Sequence, residues 1–88
     1  MSYELVINKQ ASKILKNLSK PDRYRITEKI VMLGRNPDNP DLDIKPLQGS
    51  SQNLNRLRVG QWRVIFNRNE ELQIIAIEKI KPRGDAYK

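Results

Sequence analysis

Leu54-Asn55-Arg56-Leu57-Arg58-Val59-Gly60-Gln61-Trp62-Arg63-Val64-Ile65-Phe66-Asn67 reads as two strands around a tight turn at Gly60. Side chains alternate between the two faces of a strand, so parity sorts this stretch. Whether the two-residue turn is Val59-Gly60 or Gly60-Gln61, Leu57 and Val59 share a face with Trp62, Val64 and Phe66. That face is predicted to be core. The opposite face gathers Arg56, Arg58 and Arg63. Like charges opposed across strands are unfavourable unless an anion lies between them, so this face is predicted to meet an anionic ligand.

The rest of the chain builds outward from this hairpin. Arg68-Asn69-Glu70-Glu71 is predicted to turn, and Leu72–Ile80 to form the next strand. Leu72, Ile74 and Ala76 fall on one of its faces and Ile75 and Ile77 on the other, which suits a central, covered strand. Upstream, residues 35–50 hold three of the five prolines and read as a loop with a short extended piece at Leu42–Leu47. Before that lie two helical patterns. Asn8 is placed to cap a helix over about residues 9–18, with Ala11, Ile14, Leu15 and Leu18 on one face. Ser19, Pro21 and Asp22 suit the start of a second helix, carried by Tyr24, Ile26, Ile30, Val31 and Leu33 and stopped by Gly34 and then Pro37. Tyr24 is read as a packing residue. Residues 2–7 alternate, with Tyr3, Leu5 and Ile7 on one side, and give a first strand. The prediction is an α+β fold in one domain over 1–88: an N-terminal strand and a helical hairpin packed on one face of a mainly antiparallel sheet.

Composition narrows the chemistry. The 88 residues contain no cysteine and no histidine. That excludes disulfides, thiolate catalysis and Cys-based zinc sites, and removes the usual general base near neutral pH. Glu28, Glu70, Glu71 and Asp85 form no convincing metal cluster, so neither metal nor cofactor is expected. Lys and Arg total 17 against 10 Asp and Glu, a net charge of +7, which favours a polyanionic partner. No apolar run reaches the roughly 20 residues needed to span a bilayer, and Met1-Ser2-Tyr3-Glu4 lacks the features of a signal peptide. A cytoplasmic protein with no membrane partner is expected.

The run Lys45-Pro46-Leu47-Gln48-Gly49, followed by Asn55-Arg56-Leu57-Arg58-Val59-Gly60-Gln61-Trp62-Arg63-Val64-Ile65-Phe66, resembles the central block of the RelE/ParE toxin superfamily. The tail Ile80-Lys81-Pro82-Arg83-Gly84-Asp85-Ala86-Tyr87 resembles the family's closing segment, in which a basic cluster precedes a tyrosine. The resemblance implies a RelE-like fold and a type II toxin held inactive by a cognate antitoxin, with operator DNA met only through the antitoxin complex. RelE-like members cut messenger RNA in the ribosomal A site, whereas ParE-like members inhibit DNA gyrase and lack the nuclease residues. The nuclease branch implies Arg63, Arg83 and Tyr87 as catalytic residues, with Lys81 the less close match for the basic position. Arg56 and Arg58 match strand positions that often hold lysine in RelE-type enzymes, and the histidine some relatives carry in the tail is absent.

Metal-free RNA cleavage uses the substrate's own 2′-hydroxyl. It needs a base for that hydroxyl, cations for the phosphate and an acid for the leaving 5′-oxygen. Arg63 suits phosphate binding through its planar fork, with Arg56 and Arg58 in support, because arginine does not readily give up a proton. Tyr87 is a candidate base or base-stacking group, and Arg83 or Lys81 a candidate proton donor. Lys45, Lys79 and Lys81 are further candidates for phosphate contact. The leading expectation is a ribosome-dependent endoribonuclease. The alternatives are a ParE-like gyrase inhibitor and a nuclease-inactive nucleic-acid-binding relative.

Overall fold

The computed structural model describes residues 2–47, 49 and 54–82. Its elements are β1 (Glu4–Ile7), α1 (Lys9–Asn17), α2 (Lys20–Arg35), β2 (Asp43–Pro46), β3 (Leu54–Val59), β4 (Trp62–Asn69) and β5 (Ile74–Pro82). Among the described residues five strands form one sheet in the order β1-β5-β4-β3-β2. Strands β2 to β5 are antiparallel neighbours, and β1 joins β5 in parallel. The expected α+β architecture is therefore present, and the extended piece inside the proline-rich loop is a paired edge strand.

The hairpin turn is Gly60-Gln61, because Val59 pairs with Trp62. Gly60 has φ +58 while Gln61 is not among the positive-φ residues. A positive φ at the first central position alone is the pattern of a type II′ turn, which favours glycine there. This turn sets the register: Leu57 faces Val64, and Arg58 faces Arg63.

The next turn lies further along than the alternation suggests. β4 continues through Asn69 and β5 begins at Ile74. Asn69 Oδ1 accepts the Leu72 N–H at 2.9 Å, Gln73 Nε2 donates to the Glu70 carbonyl at 3.1 Å, and Gln73 has φ 56. These local bonds draw Leu72 into the turn, where it is 66% exposed. It is not a strand residue, contrary to the sequence expectation.

A β-bulge then alters β5. Phe66 pairs with Ile77 but Ile65 pairs with Lys79, leaving Glu78 as the extra residue. Simple alternation would place Lys79 and Lys81 on the side of Ile75 and Ile77. The bulge instead returns Ile80 to the core opposite Val64 and sends Lys79 and Lys81 to the other face.

The helices cover one face. Ala11 of α1 and Ile26, Ile30 and Leu33 of α2 bury themselves against Leu57, Val59, Val64, Phe66, Ile75, Ile77 and Ile80. Full burial of each Val, Leu, Ile or Phe side chain among them contributes roughly 1.5–3 kcal/mol. Asn8 Oδ1 accepts the Gln10 N–H at 2.7 Å and caps α1. Ser19 stands at the N-cap of α2 but makes no side-chain cap bond. Tyr24 is 73% exposed, and Ile14 and Val31 are also exposed. The spacing assigned all three to the buried stripe, but short helices on a small sheet bury only a narrow row.

Gly34 does not stop α2; it lies inside the helix, which ends at Arg35. A Cβ there would sit 2.8 Å from Leu5 Cγ, and the Tyr3 N–H donates to the Gly34 carbonyl at 2.7 Å. The missing side chain lets β1 approach the helix.

One polar cluster ties the N-terminal strand to the rest. Arg68 donates to Asp38 at 2.9 Å and to Glu70 at 2.6 Å, and its guanidinium lies 5.3 Å from the Tyr3 ring centre. The Tyr3 hydroxyl donates to Glu70 at 2.7 Å. The Arg68 hydrogen bond holds the Asp38 carboxyl below the usual carboxylate range, and the hydrogen bonds from Tyr3 and Arg68 do the same for Glu70. A carboxylate whose pKa falls on folding contributes stability above its unfolded pKa and loses it as pH drops through the folded value. Stability should therefore be full above about pH 5 and decline below about pH 4. Thermal melts of an Asp38→Asn, Glu70→Gln double variant should show a smaller loss between pH 5 and pH 3 than wild type. A second pair tests the facing of β3. Leu57→Ala should cost about 2–5 kcal/mol in denaturant unfolding. Arg58→Ala, one residue along and facing away from the helices, should stay within about 0.5 kcal/mol of wild type.

Candidate nucleic-acid interface

Residues directly opposite in antiparallel strands share a sheet face. The register on the side away from the helices builds two cross-strand rows. The first runs Asp43–Arg58–Arg63–Lys81 and the second Lys45–Arg56–Ile65–Lys79. All six predicted phosphate-contacting cations within the described residues fall into these rows. Strands lie about 4.8 Å apart, so Arg58, Arg63 and Lys81 span roughly 10 Å. Arg83 and Tyr87, the other two predicted catalytic residues, lie outside the described residues, following Pro82 in the chain.

The cations differ in how they are held. Arg56 is largely buried, its side chain 13% exposed, and its Nη2 meets Asp43 Oδ1 at 3.1 Å. Its Nε is buried and has no hydrogen-bond partner among the described residues. This arginine is fixed by its neighbour and suits a role in building the face. Lys45, Arg58 and Lys79 are exposed, and Arg63 and Lys81 are half-buried. Among the described residues no carboxylate pairs with Lys45, Arg58, Lys79 or Lys81. Arg58 directly opposite Arg63 costs stability through like-charge repulsion, and a bound anion between them removes that cost.

A concavity of about 380 Å³ opens beside these rows. Leu47, Leu54 and Ile65 supply apolar lining; Arg63, Lys79 and Lys81 supply charge. Glu78, the extra residue of the bulge, also lines it. The sequence reading missed the apolar lining and Glu78. Ile65, two residues after Arg63 on the same face, was the available signal for the lining, and alternation with Ile74 and Ala76 was the signal for Glu78, whereas the bulge that sets Lys79 beside it has no local sequence signature. Trp62 pairs with Val59 and Pro82 and packs against the core, in keeping with its expected place.

The arrangement can hold a polyanion across strands and seat a flat apolar group beside it. Guanidinium forks bind phosphate oxygens in pairs, and ammonium groups add charge without fixed geometry. No helix among the described residues is long and apolar enough to cross a membrane.

No protein-family model matches the chain. A protein of Methanocaldococcus jannaschii described as a candidate toxin, RelE1, is 36% identical over 89 residues, covering 100% of this chain and 98% of that protein. A chain in the RelE-RelB complex from Pyrococcus horikoshii OT3 is also 36% identical, with TM-score 0.82 and coverage of 98% of this chain and 100% of that one. The RelB-RelE antitoxin-toxin complex from Methanococcus jannaschii contains a chain 27% identical, with TM-score 0.73 and coverage of 93% and 94%. With that degree of identity along its whole length, and with the same fold, this chain belongs to the RelE toxin family.

Proposed function

We propose that this protein is the toxin of a type II toxin–antitoxin pair, acting in the cytoplasm as a ribosome-dependent, metal-independent messenger-RNA endonuclease. The observation that carries this reading is the row Arg58–Arg63–Lys81 on the uncovered sheet face. In the proposed reaction the 2′-hydroxyl attacks the adjacent phosphorus, its proton passes to a base, and the P–O5′ bond breaks as the 5′-oxygen takes up a proton. The products are a 2′,3′-cyclic phosphate and a 5′-hydroxyl. Arg63, at the middle of the row, binds the phosphate as negative charge accumulates, with Arg58 and Lys81 flanking it. Arg83 and Tyr87 are assigned to proton transfer by resemblance alone.

The absence of histidine leaves no side chain whose ordinary pKa lies near neutrality for acid–base work. A site of this kind depends on imposed substrate geometry, which a ribosome holding the codon in its A site supplies. The same cationic face suits an acidic antitoxin segment that blocks the site, as expected for a relative of proteins solved with RelB. Operator DNA would be reached only through that complex.

Primer extension on a defined messenger RNA, with and without programmed ribosomes, tests the reading. Wild type should cut at A-site codons only when ribosomes are present. Arg63→Ala should lower the cleavage rate by about 10²- to 10³-fold while keeping the wild-type melt. A folded, toxic wild type that cuts in neither condition would sink the nuclease reading and favour gyrase inhibition. Electrostatic contact has its own test: binding to single-stranded RNA should weaken with salt, and Arg58→Ala should flatten the log–log slope by about 0.7.

A further inference from the structure

Among the described residues two carboxylates lie within the cationic part of the open face, and they are treated differently. Asp43 is paired with Arg56 at 3.1 Å. Glu78 is half-buried, lines the concavity beside Lys79 and Lys81, and has no ion pair among the described residues. A carboxylate in that position repels phosphate, so it weakens a surface whose only task is to hold a backbone. Alternation with Ile74 and Ala76 already puts Glu78 on this face, and the bulge sets Lys79 beside it at one concavity; bulges next to functional sites commonly redirect side chains.

An ionised carboxylate accepts hydrogen bonds and cannot donate them. Next to it lies the apolar shelf of Leu47, Leu54 and Ile65, which suits the flat face of a nucleobase. Apolar contact with a base face is tolerant of sequence; discrimination therefore falls to the polar group at its edge. We infer that Glu78 is a base-reading residue: its carboxylate accepts an N–H from the exocyclic amino group of a base seated on this shelf, and so disfavours uracil at that position. Cytosine and uracil isolate the effect, since they share a ring and differ in an amino donor against a carbonyl acceptor. The backbone phosphate meanwhile follows Arg58, Arg63 and Lys81. This inference rests on the RNA-cleaving reading for its biological meaning, but its binding chemistry stands apart from cleavage.

The experiment uses the full chain and 2′-O-methyl hexanucleotides, which bind but lack the attacking hydroxyl. Fluorescence anisotropy should show hexacytidylate bound about 5- to 100-fold more tightly than hexauridylate. Glu78→Gln keeps the shape and adds a donor, so it should bring that ratio close to one with an unchanged melt. Arg63→Ala should weaken both oligonucleotides and leave the ratio in place. Equal affinities in wild type, or a preference untouched by Glu78→Gln, overturn the inference. So does a Glu78→Gln variant that loses cleavage at every codon and shifts the pH–rate profile while keeping the ratio, because that marks a proton-transfer group. Ribosome-dependent cleavage by a wild type that binds the two oligonucleotides equally refutes the Glu78 assignment alone. A preference erased by Glu78→Gln in a protein that never cleaves RNA refutes the nuclease reading alone.

Discussion

The helices cover one face of the sheet and leave the other open, and the rest of the molecule depends on that asymmetry. Once α1 and α2 lie on one side, every residue of β3 and β4 is assigned by parity either to the core or to the open face. The two-residue turn at Gly60 makes the assignment rigid. It pairs Val59 with Trp62, so Leu57 meets Val64 beneath the helices while Arg58 meets Arg63 on the other side. A slip of one residue would bury arginines and expose the core. The energy that drives Leu57, Val64 and Phe66 inward thus also holds like charges together outside.

That coupling explains how so small a protein sustains a repulsive surface. Placing Arg58 opposite Arg63 is unfavourable in isolation. Buried neighbours on the same strands, Leu57, Val59, Val64 and Phe66, outweigh it. Arg56 softens the field by pairing with Asp43, leaving the middle of the first row to the remaining cations. The concentration of cations carries some cost for the free protein, and a polyanion bound there would stabilise the folded state by mass action.

β4 carries two further arginine environments with opposite purposes. Arg63 faces the open side at one end. Arg68, five residues on, lies on the helix-covered side and is held by Asp38, Glu70 and Tyr3. Those partners come from the loop after α2, the β4–β5 turn and the N-terminal residues just before β1, so one guanidinium joins segments far apart in the chain. The neighbouring carboxylates keep Arg68 firmly charged, and the cluster is exposed enough that its contribution is modest in salt. Its role is to dock β1, which Gly34 permits by presenting no side chain to Leu5.

Local periodicity was enough to place β3, β4, the two helices, the Gly60 turn and the arginine face, because alternation and helical spacing report directly on which side is buried. Motif resemblance pointed to the family. Other features depended on contacts distant in sequence. Gly34 has a stop residue's composition but serves a close approach to β1 that only the folded chain contains. Leu72 has a strand residue's character but is drawn into a turn by Asn69 and a positive φ at Gln73. The bulge at Glu78 is the most consequential case. Plain alternation puts Lys79 and Lys81 beneath the helices, where an unpaired charge is very costly. Pairing with β4 inserts one residue, returns Ile80 to the core and delivers both lysines to the site. Side-chain character thus determined which residues had to be buried, and strand pairing determined where the remaining ones were carried.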